Sequence, residues 1–360
     1  MNSEATAGIL PYHFQMVSIV SVSTALPPHV VTQEEAVEVA RRIYAGRDDL
    51  LRLLKVFAGA GVERRHTAFP REYYGTGKGF EERNRDYVDQ ALVLAEQAGK
   101  AALERAGLRG RQIDHLLVVT TTGLATPSLD ALLAPRLGLR ADVRRWPLFG
   151  LGCAGGAGAL LRAADLLRGA PAQKALVVSV ELCGQVFSAR ADSPTDVVGA
   201  ALFGDGAAAA VLADGGGPRI LSARTILYEG TGHLMGWAFT ADGMRLRLSK
   251  EVADFVAERL KPEVGAFLRD SSVTLDRIAH WVLHPGGRRI LETYRDVFGL
   301  SDKDLRWTRG SLARVGNLSS ASVLFILADV MESGRAHPGD RGLMCALGPG
   351  FASELILLGW

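Results

Sequence analysis

The stretch Gly150-Leu151-Gly152-Cys153-Ala154-Gly155-Gly156-Ala157-Gly158-Ala159-Leu160 is a run of glycines that opens a helix of small residues extending to Arg168. It has a counterpart further along the chain. Shifted by 164 residues, Gly152-Cys153 falls on Gly316-Asn317, Ala157 on Ala321, Leu160 on Leu324, Ala164 on Ala328 and Asp165 on Asp329. At a shift of 165, Ile113-Asp114-His115-Leu116 meets Ile278-Ala279-His280-Trp281. Gly204-Asp205-Gly206 and Gly348-Pro349-Gly350 each precede an apolar strand pattern. The order strand, polar loop, small-residue helix, strand, GxG turn, strand thus occurs twice. It predicts two similar α/β halves, residues 16–215 and 216–360, with equivalent loops converging on one site. Residues 1–15 are polar and irregular and read as an N-terminal extension.

Short apolar, β-branched segments at 17–22, 115–120, 175–180, 207–212, 280–283, 343–347 and 354–357 read as buried strands. Helical periodicity at 32–45, 87–106, 157–168, 250–267, 288–297 and 320–333 alternates with them. That alternation predicts an α/β fold with mostly parallel sheets covered on both faces. A chain of 360 residues, 48% hydrophobic, has the material for two cores. Forty-one basic against thirty-nine acidic residues leave a net charge of +2, which does not suggest a nucleic-acid partner. The clusters Arg64-Arg65-His66 and Arg144-Arg145 read as solvated surface charge or as contacts for a small phosphate-bearing ligand. Cys153, Cys183 and Cys345 form no CxxC pair, so neither a disulfide framework nor a metal site is expected, and a reducing cytoplasm fits. No charge-free run of about 18 apolar residues is present to span a bilayer.

Gly150-Leu151-Gly152-Cys153-Ala154-Gly155 matches GxGxxG, with an acid, Glu181, ending a later strand pattern. A dinucleotide fingerprint should directly follow an apolar strand, and Arg144-Arg145-Trp146-Pro147-Leu148-Phe149 reads poorly as a buried parallel one. The competing reading makes Cys153 a nucleophile whose thiolate is favoured by the helix start behind it. Taken alone, Cys153 reads more readily as a buried structural cysteine, His284 as a satisfied loop histidine and Asn317 as an N-cap. The repeat groups them. Asn317 occupies the place of Cys153 in the other half, and His284 ends the strand equivalent to 115–120. A thiolate, an imidazole and a carboxamide facing one cleft suit Claisen condensation: the cysteine takes an acyl group from a thioester, and two N–H donors stabilise an enolate. No metal or redox cofactor is needed.

At these residues the chain resembles the type III polyketide synthases, the chalcone synthase-like family of the thiolase superfamily. The resemblance covers nearly the whole chain from about residue 16. It rests on Gly152-Cys153-Ala154-Gly155-Gly156, Leu202-Phe203-Gly204-Asp205-Gly206-Ala207, Trp281-Val282-Leu283-His284-Pro285-Gly286-Gly287, Gly316-Asn317-Leu318-Ser319-Ser320-Ala321, and Gly348-Pro349-Gly350 with Glu354. It implies a thiolase-like αβαβα layered fold, a homodimer, and Cys153, His284 and Asn317 as catalytic residues. It also implies acyl-CoA starters, malonyl-CoA extenders, and iterative extension followed by cyclisation. Arg52, Lys55, Gly286 and Gly287 fall where relatives hold CoA; a further family lysine there corresponds to Gly59. Phe203 matches a gating phenylalanine whose usual companion is Leu246 here. Thr121, Thr122, Glu181, Cys183, Val186, Trp237 and Ser319 match cavity positions, with Thr121, Glu181 and Ser319 as a hydroxyl–carboxylate network able to activate water. Cys183 and Val186 stand where plant relatives carry threonines, which makes the expected cavity apolar and points to a fatty acyl starter and a pyrone or resorcinol product. The relatives that initiate bacterial fatty-acid synthesis by one condensation with a carrier protein are the alternative. They usually show His-Gln-Ala-Asn where this chain has His284-Pro285-Gly286-Gly287.

Overall fold

The computed structural model describes residues 17–186, 193–241 and 243–360, without the side chain of Val186; the expected extension at 1–15 lies outside the described residues. The first half runs β1 (Ser18–Ala25), β2 (His29–Thr32), α1 (Gln33–Ile43), α2 (Leu50–Gly59), β3 (Arg64–Thr67), α3 (Phe80–Arg105), β4 (His115–Thr120), α4 (Leu129–Arg136), β5 (Arg144–Phe149), α5 (Gly155–Arg168), β6 (Ala175–Leu182), α6 (Pro194–Leu202) and β7 (Asp205–Ala213). The second runs β8 (Arg219–Leu227), β9 (Met235–Thr240), β10 (Gly243–Leu248), α7 (Val252–Asp270), β11 (Ile278–Leu283), α8 (Arg288–Phe298), α9 (Arg306–Val315), α10 (Ser322–Glu332), β12 (Arg341–Gly348) and β13 (Ala352–Gly359).

Nine strands form one sheet in the order β11-β12-β13-β8-β1-β7-β6-β4-β5. Its two arms repeat the same pairings. In the first, β4 runs parallel to β6, β6 antiparallel to β7, and β7 antiparallel to β1. In the second, β11 runs parallel to β12, β12 antiparallel to β13, and β13 antiparallel to β8. The arms meet at β1 and β8 through the pair Ser18↔Arg219. The sheet is therefore mixed, which corrects the expectation of mostly parallel strands. Alternation of strands and helices along the chain does not report direction, and the Gly348-Pro349-Gly350 turn folds β13 straight back on β12.

Side-chain alternation along the strands builds the layers. Leu117, Val119, Val177 and Ala210 of one arm, and Val282, Met344, Ala346 and Ile356 of the other, face a shared core filled by α5 and α10. The opposite faces carry Leu116, Val118, Leu176 and Val178 against α3, and Trp281, Leu283, Leu343 and Leu355 against α7 and α8. The result is helix, sheet, helix, sheet, helix. α5 and α10 approach closely because the first is built of small residues. A Cβ on Gly156 would lie 2.1 Å from the Ser320 carbonyl oxygen. Strand β5 is one that the sequence did not mark. Arg144–Phe149 does pair in parallel with β4, but at the edge of the sheet with its side chains mostly exposed, so no burial period is written into its sequence. Among the described residues no helix is long and apolar enough to cross a membrane.

Candidate active site

Two equivalent turns and one strand end bring Cys153, Asn317 and His284 to one cavity of about 610 Å³. Cys153 sits on the short 3-10 turn Gly152–Ala154 just ahead of α5. Asn317 precedes the matching turn Ser319–Ala321 ahead of α10. In both cases the residue before is a glycine at positive φ, +49° at Gly152 and +75° at Gly316, a backbone that a side chain would strain. His284 follows β11, and its N–H donates to the Cys345 carbonyl at 2.9 Å. Asn317 is tied to the end of α6: its N–H donates to Leu202 O at 2.9 Å, and Gly204 N–H donates to Asn317 O at 3.1 Å.

The carboxamide of Asn317 is oriented by its surroundings. Its Oδ1 accepts from Ser319 N–H at 2.8 Å and from the Ser322 hydroxyl at 3.5 Å, which turns Nδ2 toward His284 Nε2, 3.4 Å away. Two nitrogens at that separation leave room for one oxygen about 2.9 Å from both. Cys153 Sγ lies 3.8 Å from the hydroxyl of Ser319, a residue held at φ +49° in the left-handed region. Burial dominates the electrostatics. It pushes the Cys153 thiol up to about 12, with the Ser319 hydroxyl pulling it back and the Glu181 charge adding to the rise. It pushes the His284 imidazole down to about 3. Burial thus disfavours the charged form of both groups. It opposes the thiolate expected from the helix start: Cys153 lies two residues ahead of Gly155, the first residue of α5, and is enclosed, so desolvation works against the charged form.

Glu181 is fully buried, and its pKa is raised by that burial. Its Oε2 accepts from Thr121 N–H at 3.0 Å, Thr122 N–H at 3.2 Å and the Thr122 hydroxyl at 2.9 Å. Its Oε1 accepts from the Ser320 hydroxyl, itself 2.7 Å from Ser179 Oγ. The expected network therefore changes members. Ser320 rather than Ser319 reaches the carboxylate, and the hydroxyl involved is that of Thr122, while Thr121 Oγ1 accepts from Gly152 N–H at 3.0 Å. Adjacent residues in a 3-10 turn point in different directions, which spacing in the sequence does not resolve.

Phe203, Trp237 and Leu246 line the cavity with Ser319, and the rings of Phe203 and Trp237 lie 6.2 Å apart. Thr122 and Cys183 lie elsewhere, in a separate recess of about 20 Å³ that shares Trp237 as a wall. Thr121 and Glu181 line neither space. Val186 closes the turn Cys183–Val186, and its side chain is outside what is described. At the mouth stand Arg52, Lys55, Gly286 and Gly287, and also Lys250, Arg288 and Arg289, which the sequence reading did not single out. At Gly59, where the resemblance leads one to expect a lysine, a Cβ would sit 3.6 Å from the Arg288 guanidinium, so α8 brings a cation to that spot.

Two of the three glycines of GxGxxG, Gly152 and Gly155, are used for packing, while a Cβ on Gly150 would meet nothing within 4 Å. A Cβ on Gly152 would meet Pro349 Cδ at 2.5 Å, and one on Gly155 would meet Val119 Cγ1 at 2.6 Å. Protein fills the approach that a pyrophosphate would need. β5 does precede Gly150, but as an exposed edge strand and not the buried apolar strand that the fingerprint requires, so the packing adds to the strand argument.

Residues 15–218 match the family described as Chalcone and stilbene synthases, N-terminal domain, and residues 220–359 match the C-terminal domain of the same family. A 1,3,6,8-tetrahydroxynaphthalene synthase of Streptomyces peucetius subsp. caesius is 42% identical, over 95% of this chain and 93% of that one. A protein named putative chalcone synthase from Bacillus subtilis (strain 168) is 34% identical, over 96% and 99%. The crystal structure of 1,3,6,8-tetrahydroxynaphthalene synthase from Streptomyces coelicolor A3(2), described as a bacterial type III polyketide synthase, superposes with a TM-score of 0.91 at 31% identity, covering 95% of this chain and 99% of that one.

Proposed function

The chain belongs to the chalcone and stilbene synthases, the type III polyketide synthases of the acyltransferase class, and from that premise we propose that it extends an acyl-CoA starter on Cys153 with malonyl-CoA, iteratively, and cyclises the product. The observation that carries the reading is the pair of nitrogens on His284 and Asn317, 3.4 Å apart on the wall of the cavity that Cys153 also lines.

The Cys153 thiol gives its proton to the His284 imidazole as the starter thioester arrives. Sulfur attacks the thioester carbonyl, the bond to CoA breaks, and the proton leaves on the CoA thiol. Each charge of the transient thiolate–imidazolium pair relieves the burial cost of the other. Malonyl-CoA then loses carbon dioxide. The oxygen of its enolate sits between the His284 Nε2–H and the Asn317 amide, donors worth about 3 kcal/mol each when placed where charge develops. The enolate carbon attacks the Cys153 thioester, a carbon–carbon bond forms, the carbon–sulfur bond breaks, and the chain leaves on CoA ready to reload. Arg52, Lys55, Lys250, Arg288 and Arg289 suit the CoA phosphates at the mouth.

The starter we favour is a fatty acyl-CoA released as a pyrone or resorcinol. Support comes from the apolar lining around Val198, Phe203, Met235, Trp237, Leu246 and Leu248. A second reading has its own support in the 42% identity to a tetrahydroxynaphthalene synthase: a polyhydroxylated aromatic whose skeleton divides wholly into two-carbon units, primed by malonyl-CoA itself. Mass spectrometry of products from malonyl-CoA alone, and with a panel of acyl-CoAs, separates them. Alkylated products extended more than once support the first, coloured aromatic products from malonyl-CoA alone support the second, and a single extension on a carrier protein overturns both in favour of a ketoacyl synthase.

A homodimer formed through β5 belongs to the same reading. Trp146, Phe149 and Phe239 remain exposed along that edge, and Phe149 and Phe239 have ring centroids 6.3 Å apart. A monomeric mass in light scattering at micromolar concentration sinks this part. The cytoplasm, where CoA thioesters and free thiols persist, is the compartment proposed.

A further inference from the structure

Arg65 belongs to a cluster that reads in sequence as surface charge, yet it is fully buried. Its guanidinium is spent on one short segment. Nη1 donates to Ala200 O at 2.5 Å and Phe203 O at 2.9 Å, and Nη2 donates to Ala201 O at 2.9 Å and to the Gln33 side chain. These are the carbonyls that the end of α6 leaves without helical partners. The remaining one, Leu202 O, is taken by the Asn317 N–H, and the Asn317 carbonyl in turn accepts from Gly204 N–H. The end of α6 is thus held by the Arg65 fork on Ala200, Ala201 and Phe203, by the Gln33 amide on Ala201, and by the Asn317 backbone on Leu202. No slack exists beside them. A Cβ on Gly316 would lie 2.9 Å from Leu202 O, and one on Gly204 would lie 2.4 Å from Val315 O and 3.2 Å from Arg65 Cβ. At its start α6 is fixed as well, by the Ser193–Asp196 capping box. Asp205, buried two residues beyond Phe203, is anchored by Ala68 N–H at 2.7 Å and Gly184 N–H at 2.6 Å, and its charge favours the guanidinium.

We infer that Arg65 is a positioning residue for the condensation: through the end of α6 it sets where the Asn317 amide stands beside His284. The inference rests on the enolate-binding role given to Asn317. An ammonium cannot reproduce the fork, because the three carbonyls diverge and a lysine offers one nitrogen where arginine offers two. In Arg65→Lys the Asn317 amide moves off its place, and errors of this kind cost a factor of 10 or more in rate.

The test compares Arg65→Lys, Asn317→Ala and the double variant in two assays, acyl loading on Cys153 followed by intact-protein mass, and malonyl-CoA decarboxylation. Asn317→Ala lowers the kcat of decarboxylation. Arg65→Lys lowers it about tenfold with KM little changed and leaves loading within about twofold. In the Asn317→Ala background, Arg65→Lys adds less than about twofold, because the group it positions is gone. Equal loss of loading and decarboxylation in Arg65→Lys, or full additivity in the double variant, overturns the role of Arg65. Unchanged decarboxylation in Asn317→Ala overturns the role of Asn317 instead. If Arg65→Lys does not fold, Gln33→Ala serves, since Gln33 receives the guanidinium and itself donates to Ala201 O at 3.1 Å. It gives a smaller loss with the same non-additivity, and an additive loss there again overturns the inference.

Discussion

Gly156→Ala tests whether the two central helices are packed as tightly as the site requires. The added methyl would stand 2.1 Å from the Ser320 carbonyl oxygen and 3.1 Å from Val323 Cγ2. The first obstacle is backbone, so it cannot swing away as a side-chain tip could. Reaching ordinary contact means opening the α5–α10 seam by about 1 Å. Overpacking of a core by one carbon typically costs 1–3 kcal/mol, and a backbone obstacle puts this variant at about 3 kcal/mol or above. For a chain of this size that is a fall in Tm of roughly 5 °C. Activity falls further than stability, because Ser320 also bonds Glu181, and Ser319 beside it is 3.8 Å from Cys153 Sγ. Differential scanning calorimetry and the decarboxylation rate, measured together, check this. Gly265→Ala is the control. It lies inside α7, where the new Cβ meets only the Arg269 side-chain end at 3.4 Å, and it leaves Tm unchanged or raises it slightly through helix propensity. A Gly156→Ala protein with native Tm and native rate would refute the packing argument.

Two further outcomes follow from the site. Cys153→Ala abolishes acyl loading yet leaves malonyl-CoA decarboxylation measurable, whereas His284→Ala impairs both; equal loss of decarboxylation in the two removes the separate roles assigned to them. The pH dependence of stability has a computable sign. His284 is held at about 3 in the folded chain against 6.5 for the free side chain, so between those values the unfolded state binds more protons, and stability falls as pH drops from 6.5 toward 3. The slope from this residue is at most about 1.4 kcal/mol per pH unit. Asp205, raised to about 6 from 3.8, acts oppositely between 3.8 and 6, since there the folded state binds the extra proton. The His284 contribution is therefore read as the difference between the native protein and His284→Asn in denaturant titrations at several pH values. No difference in slope contradicts a buried neutral imidazole.

How far the fold was legible follows from how each element is buried. Strands such as β4 and β6, covered on both faces, carry continuous β-branched runs and were readable to within a residue or two. Strand β5 was not, because an edge strand with exposed side chains has no pattern to read. Helices α2, α4 and α9 are ten residues or fewer, too short for a 3.6-residue period to stand out. At the site, the repeat groups Cys153, His284 and Asn317 because it converts distant positions into equivalent ones, and all three line one cavity. Lys250, Arg288 and Arg289 were not singled out, because a cation at a cavity mouth looks the same in sequence as one on open surface. Arg65 failed for the opposite reason: its charge suggested water, and only its position behind the end of α6 shows that backbone carbonyls replace it. A signal was available in Leu202-Phe203-Gly204, since a helix that ends at a site residue needs partners for its last carbonyls.

The repeat also bears on why the chemistry sits where it does. Each arm of the sheet presents one helix to the shared core, and each helix is preceded by a glycine at positive φ and a polar residue lining the cavity. One arm supplies sulfur and the other the carboxamide, so nucleophile and enolate donor stand on opposite sides of a seam. A substrate lying along that seam meets both without either side chain having to move. Enclosure at the seam also disfavours the charged forms of the thiol and the imidazole. Widening the seam would wet it, bring the pKa values of Cys153 and His284 back toward their ordinary range, and separate the two donors that must share one oxygen. Tight helix packing, suppressed ionisation and enolate binding are therefore one property of the fold, and a variant that loosens the helices should lose the three together.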